Sequence, residues 1–324
     1  MSFHPKAIRR DCPDRLTRSG QGGDDVAGKP AILPWDSNSV RQPGSASKFT
    51  TIRISTRLLE FNRMSVALFV PCYIDQFFPE IAIATLELLE KLGVSVEYPA
   101  GQTCCGQPMA NTGCVDDTAP VARRFVEIFA DYDAVICPSG SCTAMVRHHY
   151  AEYFDPQDTA FQHVASRSFE LCEYLHDELQ VDSLDASFPH RVSLHQSCHG
   201  LRELRLAASS ETRVPRVDKV RSLMGLVSDI EWCTPTRSDE CCGFGGTFAV
   251  NEPEVSAMMG RDRIADHIDA RSEFIASADM SCLMHLDGII RREKKPIRVI
   301  HVAQILAGGP FAGGQRSIPS IAHP

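Results

Sequence analysis

Two places in this sequence set cysteines side by side: Cys104 with Cys105, and Cys241 with Cys242. Each pair runs into a glycine, Gly106 and Gly243. Adjacent cysteines seldom bridge to one another, because the peptide between them closes a strained ring and holds the Cα atoms too near for relaxed disulfide geometry. Two neighbouring thiolates can instead bind one metal centre. Single cysteines flank the pairs in matching order. Between Cys72 and the first pair lie 31 residues and between that pair and Cys142 lie 36, while 42 and 39 residues separate Cys198 and Cys282 from the second pair. Each half therefore offers four thiolates, the set an iron–sulfur cluster takes. Zinc also accepts four cysteines, but its structural sites use closely spaced C-x-x-C-type knuckles rather than ligands scattered over long gaps.

The elements between the cysteines must bring them together. VALFVPC is an apolar run that predicts a strand ending at Cys72. PEIAIATLELLEKLG has helical spacing, with Pro79 near its start and Gly93 past its end. VSVEYP reads as a second strand, TCCGQPMANTG as a loop, VARRFVEIFADY as a helix, AVICPSGS as strand then turn, and CTAMVRHHYAEYF as a helix. The second half repeats this order: the strand RVSLHQSC, helical VDKVRSLMGL, strand-like SDIEWCTP and the loop DECCGFGG. Helical PEVSAMMGRDRIADHI, the strand and turn FIASADMSC and helical LMHLDGIIRRE follow, and IRVIHVAQIL closes as a last strand and helix. The expected fold is α/β, two tandem similar units with mainly parallel sheets. The first repeat covers 64–154, a helical linker around SFELCEYLHDEL covers 155–190, and the second repeat covers 191–308. Every cysteine of the two quartets falls at a strand's carboxyl end or in the loop after it, the edge where open α/β sheets build ligand sites.

Residues 1–63 are of another kind. They hold 11 Lys and Arg against six Asp and Glu, so they carry +5 and leave −13 for the rest. Rich in Gly, Pro, Ser and Asp, they cannot bury enough apolar surface to offset their ordering entropy, and they read as a disordered extension ahead of a natural start at Met64. Residues 309–324 read as a flexible tail. The net charge of −8 and pI near 5.8 exclude the basic field of a nucleic-acid binder. No apolar window is long enough to span a bilayer, and the first residues lack the apolar core of a secretory signal, which with thirteen cysteines points to a reducing, cytoplasmic setting.

Among the remaining candidates, Cys137 reads equally as a spare ligand or a buried small side chain. Cys114, Cys172 and Cys233 have no counterpart in the repeat and read as packing residues, and Cys12 is assigned nothing. His195 and His199 flank Cys198, where an imidazole could donate to a cluster sulfur or sit as an ordinary satisfied residue. His285 lies one helical turn past Cys282 and is a possible replacement ligand. Arg202 and Arg205 suit an anionic carboxylate, the charge of a cluster, or an exposed helical face. The chain has no G-x-G-x-x-G after a strand, no P-loop and no Ser–His–Asp arrangement.

The segments PCYIDQFFPEIAIATLELLEKLG, GQTCCGQP, PSGSCTAMVRHHY, QSCHGLRELR, CCGFGGTFAV and SCLMHLDG resemble the cysteine-rich domain of heterodisulfide reductase B subunits and glycolate oxidase iron–sulfur subunits, and more finely the lactate utilisation protein A family, over residues 64–308. The resemblance implies that Cys72, Cys104, Cys105 and Cys142, and Cys198, Cys241, Cys242 and Cys282, ligate iron. It also implies that the chain is a subunit of a cytoplasmic complex that oxidises L-lactate to pyruvate, passing electrons beside partner subunits. Heterodisulfide reductase subunits end each repeat with C-x-x-C. Here four residues separate Cys137 from Cys142, and no cysteine follows Cys282. That departure points to conventional [4Fe–4S] clusters, one per repeat or one shared. Heterodisulfide-reductase-like or glycolate-oxidase-like redox chemistry, and a non-catalytic zinc-stabilised binding module, are the alternatives.

Overall fold

The computed structural model describes residues 64–308 apart from Arg213. The expectations for residues 1–63, Cys12 and residues 309–324 lie outside the described residues. The first sheet holds β1 (Val66–Leu68), β2 (Val96–Glu97), β3 (Ala134–Cys137) and β4 (Ser168–Glu170), in the order β2-β1-β3-β4. The second holds β5 (Arg191–Leu194), β6 (Glu231–Trp232), β7 (Phe274–Ser277) and β8 (Arg298–His301), in the order β6-β5-β7-β8. Every pairing is parallel. Val66 aligns with Val96 and Ala134 as Val192 aligns with Trp232 and Phe274. The chain is thus a duplicated α/β unit, as its cysteine order implied.

Central strands β1 and β3 are apolar and buried throughout because helices cover both faces, whereas β2 and β6 shrink to two residues at open edges. The first repeat carries α1 (Cys72–Phe77), α2 (Pro79–Lys91), α3 (Gln107–Asn111), α4 (Val115–Phe129) and α5 (Gly140–Ala144). Next, α5 runs on through a π turn (Met145–His149), and α6 (Thr159–Arg167) and α7 (Leu171–Glu173) follow. The second repeat carries a π turn (His199–Glu203), α8 (Lys219–Met224), α9 (Phe248–Asn251), α10 (Pro253–Asp269), α11 (Met280–Glu293) and α12 (Val302–Ala307). In α2, Ile81, Ala84, Thr85, Leu88 and Leu89 form one buried stripe, Pro79 opens the helix and Lys91 closes it. Short α3 occupies the stretch read as the CCG loop.

The stretch 155–190, expected as a helical linker, also carries β4, which completes the first sheet beside β3. Its three residues, Ser-Phe-Glu, lack a β-branched run, so only the pairing with β3 makes them a strand. SFELCEYL is the counterpart of RVIHVAQIL at the chain's other end. Glu170 caps α7 through the amides of Cys172 and Glu173, as His301 caps α12 through that of Ala303. The two closing helices cross over. α12 packs on α2, where Lys91 Nζ donates to the Ala307 carbonyl at 2.6 Å, and α7 packs on α8, where Lys219 meets Glu173 and Asp177. One apolar core therefore runs through both repeats, from Val66 and Leu88 to Ile300 and Ile305.

The carboxyl edges of the two sheets meet at Ser139 and Asp279, which form an isolated antiparallel bridge. Both are helix caps: Ser139 Oγ accepts from Cys142 N at 3.5 Å and Asp279 Oδ1 from Ser281 N at 3.1 Å. Fully buried Asp279 also reaches across the junction, where its Oδ2 accepts from Ser141 N at 2.7 Å. Tyr73 OH lies 2.7 Å from Ser139 Oγ and extends the network to α1. Backbones close tightly here, since a Cβ on Gly140 would stand 3.3 Å from Gly200 N. Asp279→Ala strands amide donors at two buried helix starts, a loss of about 2–3 kcal/mol. The midpoint of thermal unfolding should fall by about 5–10 °C, and Asp279→Asn, which keeps one acceptor, should lose less.

Candidate metal centres

Cys72 opens α1 directly after β1, Cys104 and Cys105 follow β2, Cys137 ends β3, and Cys142 lies in the first turn of α5. These five sulfurs form one connected set. Cys72 Sγ stands 3.6 Å from Cys104 Sγ, Cys105 hydrogen-bonds with Cys104 and Cys142, and Cys137 hydrogen-bonds with Cys142. Gly106, held in the left-handed region at φ 84°, directs its amide to Cys104 Sγ at 3.4 Å. Cys137, open between two readings on sequence, joins the set; its partner position at the end of β7 is Ser277.

The second repeat builds the same arrangement with four sulfurs. Cys198 hydrogen-bonds with Cys241, Cys241 with Cys242, and Cys242 with Cys282. Gly243 N reaches Cys241 Sγ at 3.3 Å and Phe244 N reaches Cys242 Sγ at 3.5 Å. Gly243 sits at φ 89°, and a Cβ there would fall 2.5 Å from Ser256 O and 2.7 Å from Met259 Cβ. No other residue type fits that position. All eight quartet cysteines are thus gathered into two sets, one at each sheet's carboxyl edge. Cys72 is exposed, Cys104, Cys198 and Cys241 are half-buried, and Cys105, Cys142, Cys242 and Cys282 are buried.

Crowding forces these thiols to share protons. Hydrogen bonds from Cys105 and Cys72 hold Cys104 down to about 3, while the same contacts push Cys105 and Cys72 up. Cys142 is held low by Cys105 and Cys137. In the second set, bonds from Cys198 and Cys242 hold Cys241 down to about 2, and Cys198 and Cys242 rise in return. Thiolate therefore alternates with thiol through the first set, and in the second the Cys241 thiolate lies between the thiols of Cys198 and Cys242. Full ionisation of either set needs a multiply charged, sulfur-seeking cation to displace the shared protons, and the soft donor set with its inward glycine amides fits an iron–sulfur cluster.

The secondary candidates separate clearly. His195 is fully buried, its basicity lowered to about 3 by burial and the adjacent Arg263, and one of its ring nitrogens lies within 4.8 Å of the sulfurs of Cys242 and Cys282. His199 lies half-exposed at the seam, 3.3 Å from Gln107 Nε2 and 3.6 Å from Glu203. His285 directs Nε2 to the Ser256 carbonyl at 3.3 Å. Arg202 pairs with Glu211 and lies close enough to Cys198 to favour its thiolate. Cys172 and Cys233 are buried packing residues, and Cys114 stands at the start of α4. Sequence reading missed Asp279, Ser139 and Arg263. The first two had a visible sign, since each stands three residues before the last cysteine of its quartet. Arg263 gave none beyond being a charge on the inner face of α10.

The family model of the cysteine-rich domain CCG matches residues 66–147 and 192–287, the two stretches that hold the sulfur sets. Lactate utilization protein A of Geobacillus thermodenitrificans is 38% identical over 246 residues, covering 75% of this chain and 98% of that protein. Lactate utilization protein A 2 of Bacillus cereus strain Q1 is 36% identical over 250 residues, 76% of this chain and 99% of its own length. The chain belongs to the lactate utilization protein A family. Among solved structures, a hypothetical protein from Helicobacter pylori is only weakly similar, with a TM-score of 0.49 at 10% identity over 80% of this chain and 55% of that one.

For this family member the two CCG glycines are not equivalent. Gly106 needs its positive φ, but a Cβ there would meet side chains alone, the Thr118 methyl at 3.1 Å and Val121 Cγ1 at 3.6 Å, whereas at Gly243 backbone blocks it. Gly106→Ala should cost about 1–2 kcal/mol and Gly243→Ala about 3 kcal/mol or more, compared by denaturant unfolding.

Proposed function

We propose that the chain holds a [4Fe–4S] cluster in each repeat, ligated by Cys72, Cys104, Cys105 and Cys142 in the first and by Cys198, Cys241, Cys242 and Cys282 in the second. In this reading it carries electrons as one subunit of a cytoplasmic complex that oxidises L-lactate to pyruvate. The observation that supports it most is the convergence of four cysteine sulfurs, twice, at the edge where such sheets bind ligands. That the relatives are lactate utilization proteins supports lactate as the substrate of the complex. When bound, the clusters supply one-electron acceptance and release.

The chain's own residues then have defined tasks. Cys104 and Cys241, already held as thiolates, would ligate iron without losing a proton, whereas the thiols beside them would have to give theirs up. The amides of Gly106, Gly243 and Phe244 hydrogen-bond to the ligand sulfurs and offset negative charge. Arg202, hydrogen-bonded to Glu211, offsets negative charge at Cys198 through space. The exposed Cys72 leaves the first site accessible to a partner that delivers or removes electrons. Oxidation of lactate removes two electrons and two protons, a step that ordinarily uses a flavin or nicotinamide, so the primary acceptor belongs to a partner subunit. No helix among the described residues is long and apolar enough to cross a membrane. Deleting the gene should abolish growth on L-lactate and spare growth on pyruvate, and a copy carrying Cys105→Ala should fail to restore it. Undiminished growth on lactate in a strain with no other lactate dehydrogenase would contradict this assignment.

A further inference from the structure

His195 follows β5 at the place where Phe69 follows β1, three residues ahead of the first cysteine of its quartet. The two side chains share a position but not a chemistry. Phe69 is buried in an aromatic cluster, 4.8 Å edge-on from Phe125 and 5.8 Å from Phe129, and has nothing to donate. His195 is buried completely, with a ring nitrogen within 4.8 Å of the Cys242 and Cys282 sulfurs.

Its hydrogen bonding decides what it can offer. Arg263, itself fully buried, directs Nε to His195 Nδ1 at 3.2 Å. Arginine only donates, so Nδ1 must present its lone pair and the ring proton must reside on Nε2. Nothing in the surroundings relaxes this. The Arg263 guanidinium is fixed by Asp266 Oδ2 at 3.0 Å and by the carbonyls of Arg237 and Ser238, and Asp266 is fixed in turn by Thr236 and the Arg237 amide. Nε2 therefore carries a hydrogen, and among the described residues it has no partner. A buried N–H without an acceptor is costly, and the sulfurs of Cys242 and Cys282, within 4.8 Å of a nitrogen of this ring, are candidate acceptors.

We infer that His195 is a tuning residue of the second site, donating from Nε2 to a ligand or cluster sulfur, and that this gives the second cluster a more positive reduction potential than the first. The inference rests on the cluster reading above. A hydrogen bond to sulfur stabilises the reduced, more negative state more than the oxidised one. The Arg263 lock also separates this role from ligation: a neutral imidazole whose Nδ1 accepts from arginine has no lone pair left on Nε2 for a metal. Within one chain the pair Phe69 and His195 thus joins the Cys137–Ser277 difference in distinguishing two sites that share their four ligand positions, and electrons settle preferentially on the second.

The test uses the anaerobically purified full chain with ¹⁵N-labelled histidine. Pulsed EPR of the reduced protein should show a weak ¹⁵N coupling on one of two cluster signals, and a redox titration should show that signal appearing at the more positive potential. His195→Phe should abolish the coupling and move that midpoint alone to more negative potential with iron content unchanged, and His195→Gln, which keeps an N–H, should recover part of the shift. A strong coupling of the size given by a direct nitrogen ligand would overturn the inference, as would no histidine coupling in a protein whose cluster signals are intact. The unsubstituted protein decides both points even if the variants fail to fold. Lack of any cluster signal in it would overturn the cluster reading and this inference together.

Discussion

Sulfur atoms crowded at the edge of a sheet cannot all carry charge, and most of this structure answers to that constraint. Each set contains at least one sulfur already held as a thiolate beside sulfurs that keep their protons, an arrangement a bound cation would convert to full ligation. The rest of each repeat keeps the sulfurs together. Parallel strands deliver one or two cysteines each to the same edge, left-handed glycines let the CCG turns fold inward, and backbone amides point at sulfur rather than at water. Such a clustering of ionisable thiols fits preparation for a ligand better than packing alone.

The second dependence is on Asp279. One buried carboxylate caps the helix that carries Cys282 and also receives the amide of Ser141, beside Cys142. The two sites are therefore built on a common seam rather than on separate domains, and the exchange of α7 and α12 between repeats ties that seam into one core. Duplication has nonetheless left room for divergence. The first site has gained a fifth sulfur at Cys137, where the second has Ser277, and the second has a histidine, His195, where the first has Phe69. Two similar sites with different surroundings would suit the proposed role of receiving and passing on electrons singly.

Much of this was legible in the sequence, because the matched spacing of eight cysteines and the strand–helix alternation express the same repeat. Long apolar runs such as VALFVPC and the periodic stripe of α2 carry their structure locally. What escaped is what depends on contacts distant in sequence. The strand β4 exists only because β3 lies beside it, so Ser168–Glu170 read as part of a linker. The capping role of Asp279 toward Ser141 spans 138 residues, and the Arg263–His195 bond spans 68. Cys137 could not be assigned from spacing, since a strand-end cysteine packs or ligates equally well until its neighbour Cys142 is placed.

Iron and acid-labile sulfide per chain, measured after anaerobic purification of the unsubstituted protein and of Cys105→Ala and Cys242→Ala, address the central claim most directly. Two independent sites predict iron matched by sulfide, with about half of both lost in each variant and a different EPR signal surviving in each. Colourless protein holding zinc and no iron, even after anaerobic reconstitution, would contradict it, and so would loss of all iron from either single substitution.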